Sequence, residues 1–159
     1  MPRLDYCNSV FYQLSAADLQ ALQSVLNAGA RLIIMRKRKY DHITSTLHDD
    51  LHWLPIRQRI VYKLSTIVHK CLHGSAPSYL MNLCVPVATD TSRRYLHSAT
   101  HGDLLVPRMR TLTYGPRSFA VSGPTVWNTL PSTLRASTTT LGQFQSALKT
   151  TLLCLAYGT

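Results

Sequence analysis

PIRQRIVYKLSTIVHKCLHG, residues 55–74, decides the architecture of this chain. Proline is tolerated in the first turn of a helix, because the N–H it lacks has no intrahelical partner there and its ring already holds φ near the helical value. After Pro55, the residues Ile56, Ile60, Leu64, Ile67 and Cys71 recur every three or four positions, the spacing that lines one face of an α-helix. Gly74 and Pro77 end the pattern, so a helix is predicted over 55–73. Its first turn carries Arg57 and Arg59, against the positive N-terminal end of the helix dipole. Projected at about 100° per residue, Arg57 falls within the apolar stripe beside Leu64, whereas Arg59, Lys63 and Lys70 share the stripe's edge. A cation on a buried face needs a counter-charge. Asp49 and Asp50 are the nearest acids in sequence, so Arg57 reads as a structural clamp to that pair. The ridge of Arg59, Lys63 and Lys70 fits either a row of phosphates or the solvated shoulder of an amphipathic helix.

Working outward, SAADLQALQSVLNAGARLIIM (15–35) opens with Ser15 and Asp18 in capping-box spacing and places Leu19, Leu22, Leu26, Ala30 and Ile33 on one helical face. It runs into Arg36, Lys37, Arg38 and Lys39, a tract that favours a helix C-terminus and equally reads as an import signal or phosphate-binding patch. Ile43, Leu47 and Leu51 predict a short helix over 43–51, and residues 78–84 another. Residues 86–103 lack any period and are rich in Ser, Thr and Asp, the composition of a linker or long loop. Beyond them, LLVPRMRTLTYG (104–115) predicts two short strands around a turn, and RSFAVSGPTVWNTLP (117–131) a helix broken by Gly123 and Pro124. Thr140 and Gln143 make a capping box for a last helix burying Leu141, Phe144, Leu148 and Leu152. The expected fold is therefore mainly α: a helical region over 1–85, a linker or long loop over 86–103, and a small α/β segment over 104–159.

A chain of 159 residues is long enough to bury roughly 68–70% of its unfolded surface. No apolar run approaches the ~20 residues that span a bilayer. The start of the chain lacks a continuous apolar segment of the secretory type, and the four cysteines are dispersed among apolar residues. Both features predict reduced thiols and an intracellular protein, nuclear or cytoplasmic. Charge is the strongest compositional signal: seventeen Lys and Arg face seven acids, all Asp, for a formal net charge of +10. Twelve of the cations are Arg, whose planar fork suits bidentate phosphate contact. Such an excess points to a polyanionic partner, RNA or DNA before others.

Catalytic motifs are scarce. His48, Asp49 and Asp50 stand together, but two adjacent Asp on a polar segment without a third acid fit a solvent-facing or capping role better than a metal cage. His69 and His73 have i,i+4 spacing, and without a CxxC or HExxH pattern they read as surface histidines. Neither a GxSxG elbow nor a Walker loop occurs, so no catalytic residue, metal or cofactor is expected. Cations and aromatics interleave instead at Arg93, Arg94 and Tyr95, and at Arg108, Arg110, Tyr114, Arg117 and Phe119, with no acid after Asp103. That mixture suits strands whose phosphates meet Arg and whose bases meet rings. Trp127 is expected in the core.

Taken in order, LDYCNSVFY, LQSVLNAGARLI, YDHIT, LHWLPIRQRIVYKL, KCLHGSAPSYL, YGPRSFAVSGPTVWNTLP and FQSALKTTL resemble the C-terminal part of reverse transcriptases from LINE-type, non-LTR retrotransposons. The resemblance covers nearly the whole chain. It implies a thumb-like helical region over 1–85 and a post-thumb segment after it, parts of an RNA-directed DNA polymerase that hold template and primer. The aromatic-Ala-Asp-Asp motif of that family is absent, and His48–Asp50 is not its counterpart. A truncated, non-catalytic remnant is therefore expected, binding RNA, RNA/DNA hybrid or DNA, with the missing palm or another protein as a further partner. The alternatives are a helical protein-interaction module and a pseudogene product without activity.

Overall fold

The computed structural model describes residues 8–34, 42–89, 102–109, 111, 115–135 and 139–158. Arg36, Lys37, Arg38, Lys39, Arg93, Arg94 and Arg110 lie outside them. The described residues are mainly helical, with helices α1 (Ala16–Ile34), α2 (Ile56–Leu72), α3 (Ser78–Met81), α4 (Phe119–Thr129) and α5 (Leu141–Tyr157). A π-helical turn, Thr46–Asp50, precedes α2. No helix among the described residues is long and apolar enough to cross a membrane.

Helix α2 is the axis, packed against α1, α3, α4 and α5. Its predicted stripe serves two clusters. Ile56, Ile60 and Leu64 meet Leu26 of α1 and Val126 of α4. One turn further on, Val68 and Cys71 join a larger cluster with Cys84, Leu104, Trp127, Leu130, Phe144, Leu148 and Leu152. That larger core draws on both sides of the expected 86–103 linker, so 1–85 and 104–159 share one interior. At the start of α1, Ser15 Oγ accepts from Asp18 N–H at 3.2 Å and donates to its carboxylate at 2.7 Å. Leu26 and Ala30 of its stripe are buried, but Ile33 is exposed, because the helix runs on past the elements that cover its middle.

The expected α/β segment does not form: the described residues of 104–158 hold helix, turns and extended chain and no strand. Leu104 makes an isolated antiparallel bridge with Pro86, flanked by Leu105 N–H to Val85 O at 2.8 Å and Val87 N–H to Asp103 O at 2.9 Å. On its other side no second strand arrives. The Asn128 side chain takes that place, accepting from Leu104 N–H at 2.8 Å and donating to Leu104 O at 2.9 Å. Trp127 Nε1 donates to Gly102 O at 3.0 Å, and Arg135 pairs with Asp103.

Nor is α4 broken. It runs through Gly123 and Pro124, both buried. An interior proline costs a helix ~3 kcal/mol, which burial of Pro124, Val126 and Trp127 offsets. A Cβ on Gly123 would stand 3.2 Å from Val68 Cγ2 and 3.1 Å from the Phe119 ring, so its absence lets α4 lie close on α2. Helix α5 begins as its sequence predicts, with Gln143 N–H donating to Thr140 Oγ1 at 3.4 Å and Thr140 N–H donating to Gln143 Oε1 at 3.1 Å. It ends at Gly158, whose φ of 74° is the left-handed conformation that glycine adopts freely.

Candidate functional site

The segment 52–55 turns the chain from the π turn into α2, and it does so under constraint. His52 has φ 48°, a left-handed value that costs a non-glycine residue free energy unless its surroundings hold it. Three hydrogen bonds do so: Trp53 N–H to Leu47 O at 2.7 Å, His52 Nδ1–H to His48 O at 2.7 Å, and Tyr157 O–H to Trp53 O at 3.1 Å. Trp53 is thereby fixed with part of its indole against the Leu26–Ile56 and Ile43–Leu47 clusters.

Next to it α2 presents Arg59, Tyr62 and Lys63 at i, i+3 and i+4, and α5 contributes Lys149. These residues, with His52, Trp53 and Leu54, line an open groove of about 270 Å³. Tyr62 packs against the main core, and burial raises the pKa of its phenol. Three fixed cations therefore surround two aromatic side chains, and among the described residues no carboxylate lines the groove. Such a concavity concentrates positive potential and attracts anions.

The structure brings Arg59 and Lys63 together as the ridge predicts, but not the remaining cations. Lys70 is half-buried two turns on, Arg108 is exposed in extended chain, and Arg117 is half-buried in the 3-10 turn Gly115–Arg117; none of these lines the groove. Lys149 is the residue that sequence reasoning missed. It stands beside the buried Leu148 and is the only cation of α5, but which neighbour α5 turns toward is a tertiary fact.

The clamp is a correction. Arg57 is exposed, although it projects onto the same face as Leu64. It sits in the first turn of α2, where three clefts meet and none of the described elements covers it. Asp49 and Asp50 are exposed too, and Asp49 Oδ1 lies 2.5 Å from His48 Nδ1. Among the described residues, no ion pair joins Arg57 to Asp49 or Asp50.

The histidine reading also changes. His69 is 2% exposed, not a surface residue, stacked at 3.9 Å on His73 and at 4.3 Å on Phe144, with Trp127 at 6.4 Å. His73 Nδ1–H donates to His69 O at 2.8 Å. Burial first, and then the neighbouring His73, pull the His69 pKa below its ordinary 6.5, opposed by the Thr139 backbone. With the folded pKa lowered, the unfolded chain binds the extra proton first. His69 therefore leaves stability untouched well above pH 6.5 and subtracts from it as pH falls below that value. Urea melts from pH 8 to 5 should show a falling midpoint, and His69→Phe should flatten the acid limb. An unchanged limb in that variant would exclude His69 as its source.

Cys71 and Cys84 are both buried, and Cys154 is exposed. Burial, then the adjacent Cys71, push the Cys84 thiol up to about 12, which keeps it protonated and unreactive. Among the described residues no group of three or more His, Cys, Asp or Glu is arranged to hold a metal ion. Compared with protein-family models, with curated proteins and with solved structures, the chain matches none.

Proposed function

We propose that the chain is a non-catalytic nucleic-acid-binding module, a remnant of a retrotransposon RNA-directed DNA polymerase that holds RNA, RNA/DNA hybrid or DNA through a basic surface. The observation that carries this reading is the groove in which Arg59, Lys63 and Lys149 converge from two helices around Trp53 and Tyr62. Its supports are the formal net charge of +10 and the resemblance of seven ordered phrases to LINE-type reverse transcriptases. Phosphates suit a groove lined by three cations, and aromatic rings offer contact to bases.

The test is a titration of RNA and RNA/DNA hybrid at several salt concentrations. Each phosphate contact releases counterions, so log K falls against log salt by roughly 0.9 per contact on duplex DNA and roughly 0.7 on single strands. The double variant Lys63→Ala/Lys149→Ala should bind more weakly and give a slope shallower by roughly 1.4–1.8, with its melting curve little moved because both side chains are exposed. The same protein supplied with primer, template, nucleotides and Mg²⁺ should extend nothing.

One observation favours a second reading, a helical protein-interaction module. Val25, Leu32 and Ile33 of α1 are exposed, Leu32 by 75%. Nucleic-acid binding that is absent, or flat against salt, would overturn the first reading in favour of this one.

A further inference from the structure

The partial burial of the groove's two aromatic residues narrows the ligand. Trp53 and Tyr62 are not surface flags: each is half-buried with part of its ring packed on a hydrophobic cluster, so each offers the groove a rigid, recessed aromatic surface. The charged ends of Lys63 and Lys149 are exposed. Bases in a duplex are already stacked on their neighbours and present only their edges in the grooves. A duplex could therefore touch the exposed cations with its phosphates but could not lay a base on recessed rings. An unpaired base can leave its own strand's stack and enter, and about 270 Å³ is the scale of a single nucleotide unit rather than of a helix. An acidic peptide would satisfy the lysines, yet its carboxylates gain nothing from the two aromatic surfaces.

Resting on the nucleic-acid reading above, we propose that this groove is a single-strand site. It takes one unpaired nucleobase against Trp53 and Tyr62, with the flanking phosphates on Arg59, Lys63 and Lys149. Segment 52–55 is held by Leu47, His48 and Tyr157, so the indole is in place before the ligand arrives and little ordering entropy opposes binding.

The experiment uses the full chain, a mixed-sequence single-stranded RNA of twelve nucleotides, and a fully paired hairpin closed by a non-nucleotide linker with the same number of phosphates. The chain has two tryptophans, so Trp127→Phe leaves Trp53 as the only fluorophore of its kind. In that variant the single strand should quench Trp53 emission and shield it from iodide, and the hairpin should do neither. Trp53→Leu should weaken single-strand binding roughly tenfold to a hundredfold, the range of one lost base stack, and leave hairpin binding nearly unchanged. Because Trp53 is half-buried, Lys149→Ala provides a second variant whose folding is not at risk. It should weaken single-strand binding with a slope shallower by roughly 0.7.

Equal affinity for strand and hairpin, with Trp53 emission indifferent to both, would overturn the single-strand site while leaving the nucleic-acid reading intact. Polyglutamate of equal charge competing as well as the RNA would also overturn it, reducing the groove to a general polyanion site. No binding of either RNA would overturn the nucleic-acid reading itself.

Discussion

Asn128→Leu should cost the fold roughly 2–6 kcal/mol, the penalty of leaving two buried polar groups unpaired at ~1–3 kcal/mol each. In a chain of this size that lowers the melting temperature by roughly 5–20 °C. Leu104 is 2% exposed, so neither its N–H nor its C=O can turn to water once the side-chain amide is gone. Leucine keeps the branch of asparagine at Cγ without its donor and acceptor, and its bulkier methyl groups add a packing cost in the same direction. Asn128→Asp separates the two bonds: its carboxylate still accepts from Leu104 N–H but faces Leu104 O without a donor. It should be destabilised at neutral pH and partly recover on acidification, when a protonated carboxyl can donate. Thermal melts of the three proteins at pH 7 and pH 5, with amide exchange read at Leu104, check this. Wild-type stability in Asn128→Leu would mean that the amide pair contributes nothing.

Trp127→Ala should cost about 3–5 kcal/mol, the usual range for truncating a large core aromatic. A domain of ordinary stability has only ~5–15 kcal/mol in total, so a measurable fraction of the variant should be unfolded at 37 °C. The ring is 2% exposed and lies 5.7 Å from that of Phe144, and its Nε1 bond is one of the links between α4 and residues 102–105. Trp127→Phe keeps most of the apolar volume and loses the donor, so it should cost about 1–3 kcal/mol, less than the alanine change. Urea unfolding of both variants gives the comparison. Similar midpoints for Ala and Phe would show that the Gly102 bond, and not burial, is what Trp127 contributes.

The parts of the fold that were legible are those governed by one helix at a time. Pro55, the stripe from Ile56 to Cys71, and the Thr140–Gln143 box describe α2 and the start of α5, because caps and periodicity act within a few residues. What was not legible depends on where a neighbour ends. Arg57 and Leu64 share a projected face, yet one is exposed and the other buried, since periodicity reports direction around a helix and not how far along it the covering elements extend. Leu104 was expected in a strand, and its partner is a side chain twenty-four residues on. In the groove, Arg59 and Lys63 follow from the spacing of α2, whereas Lys149, His52 and Trp53 come from other elements, and only tertiary packing brings them to one place.

The pairing of 85–87 with 103–105 has a consequence for engineering. It fixes Thr89 and Gly102, the described ends of the intervening stretch, near one paired segment, a geometry that a longer connection can also close. Closing a longer loop costs only ~0.6 kcal/mol per doubling of its length. A reporter domain spliced in after Thr89, or a deliberate cut there with the halves co-expressed, should leave the shared core to reassemble around α2.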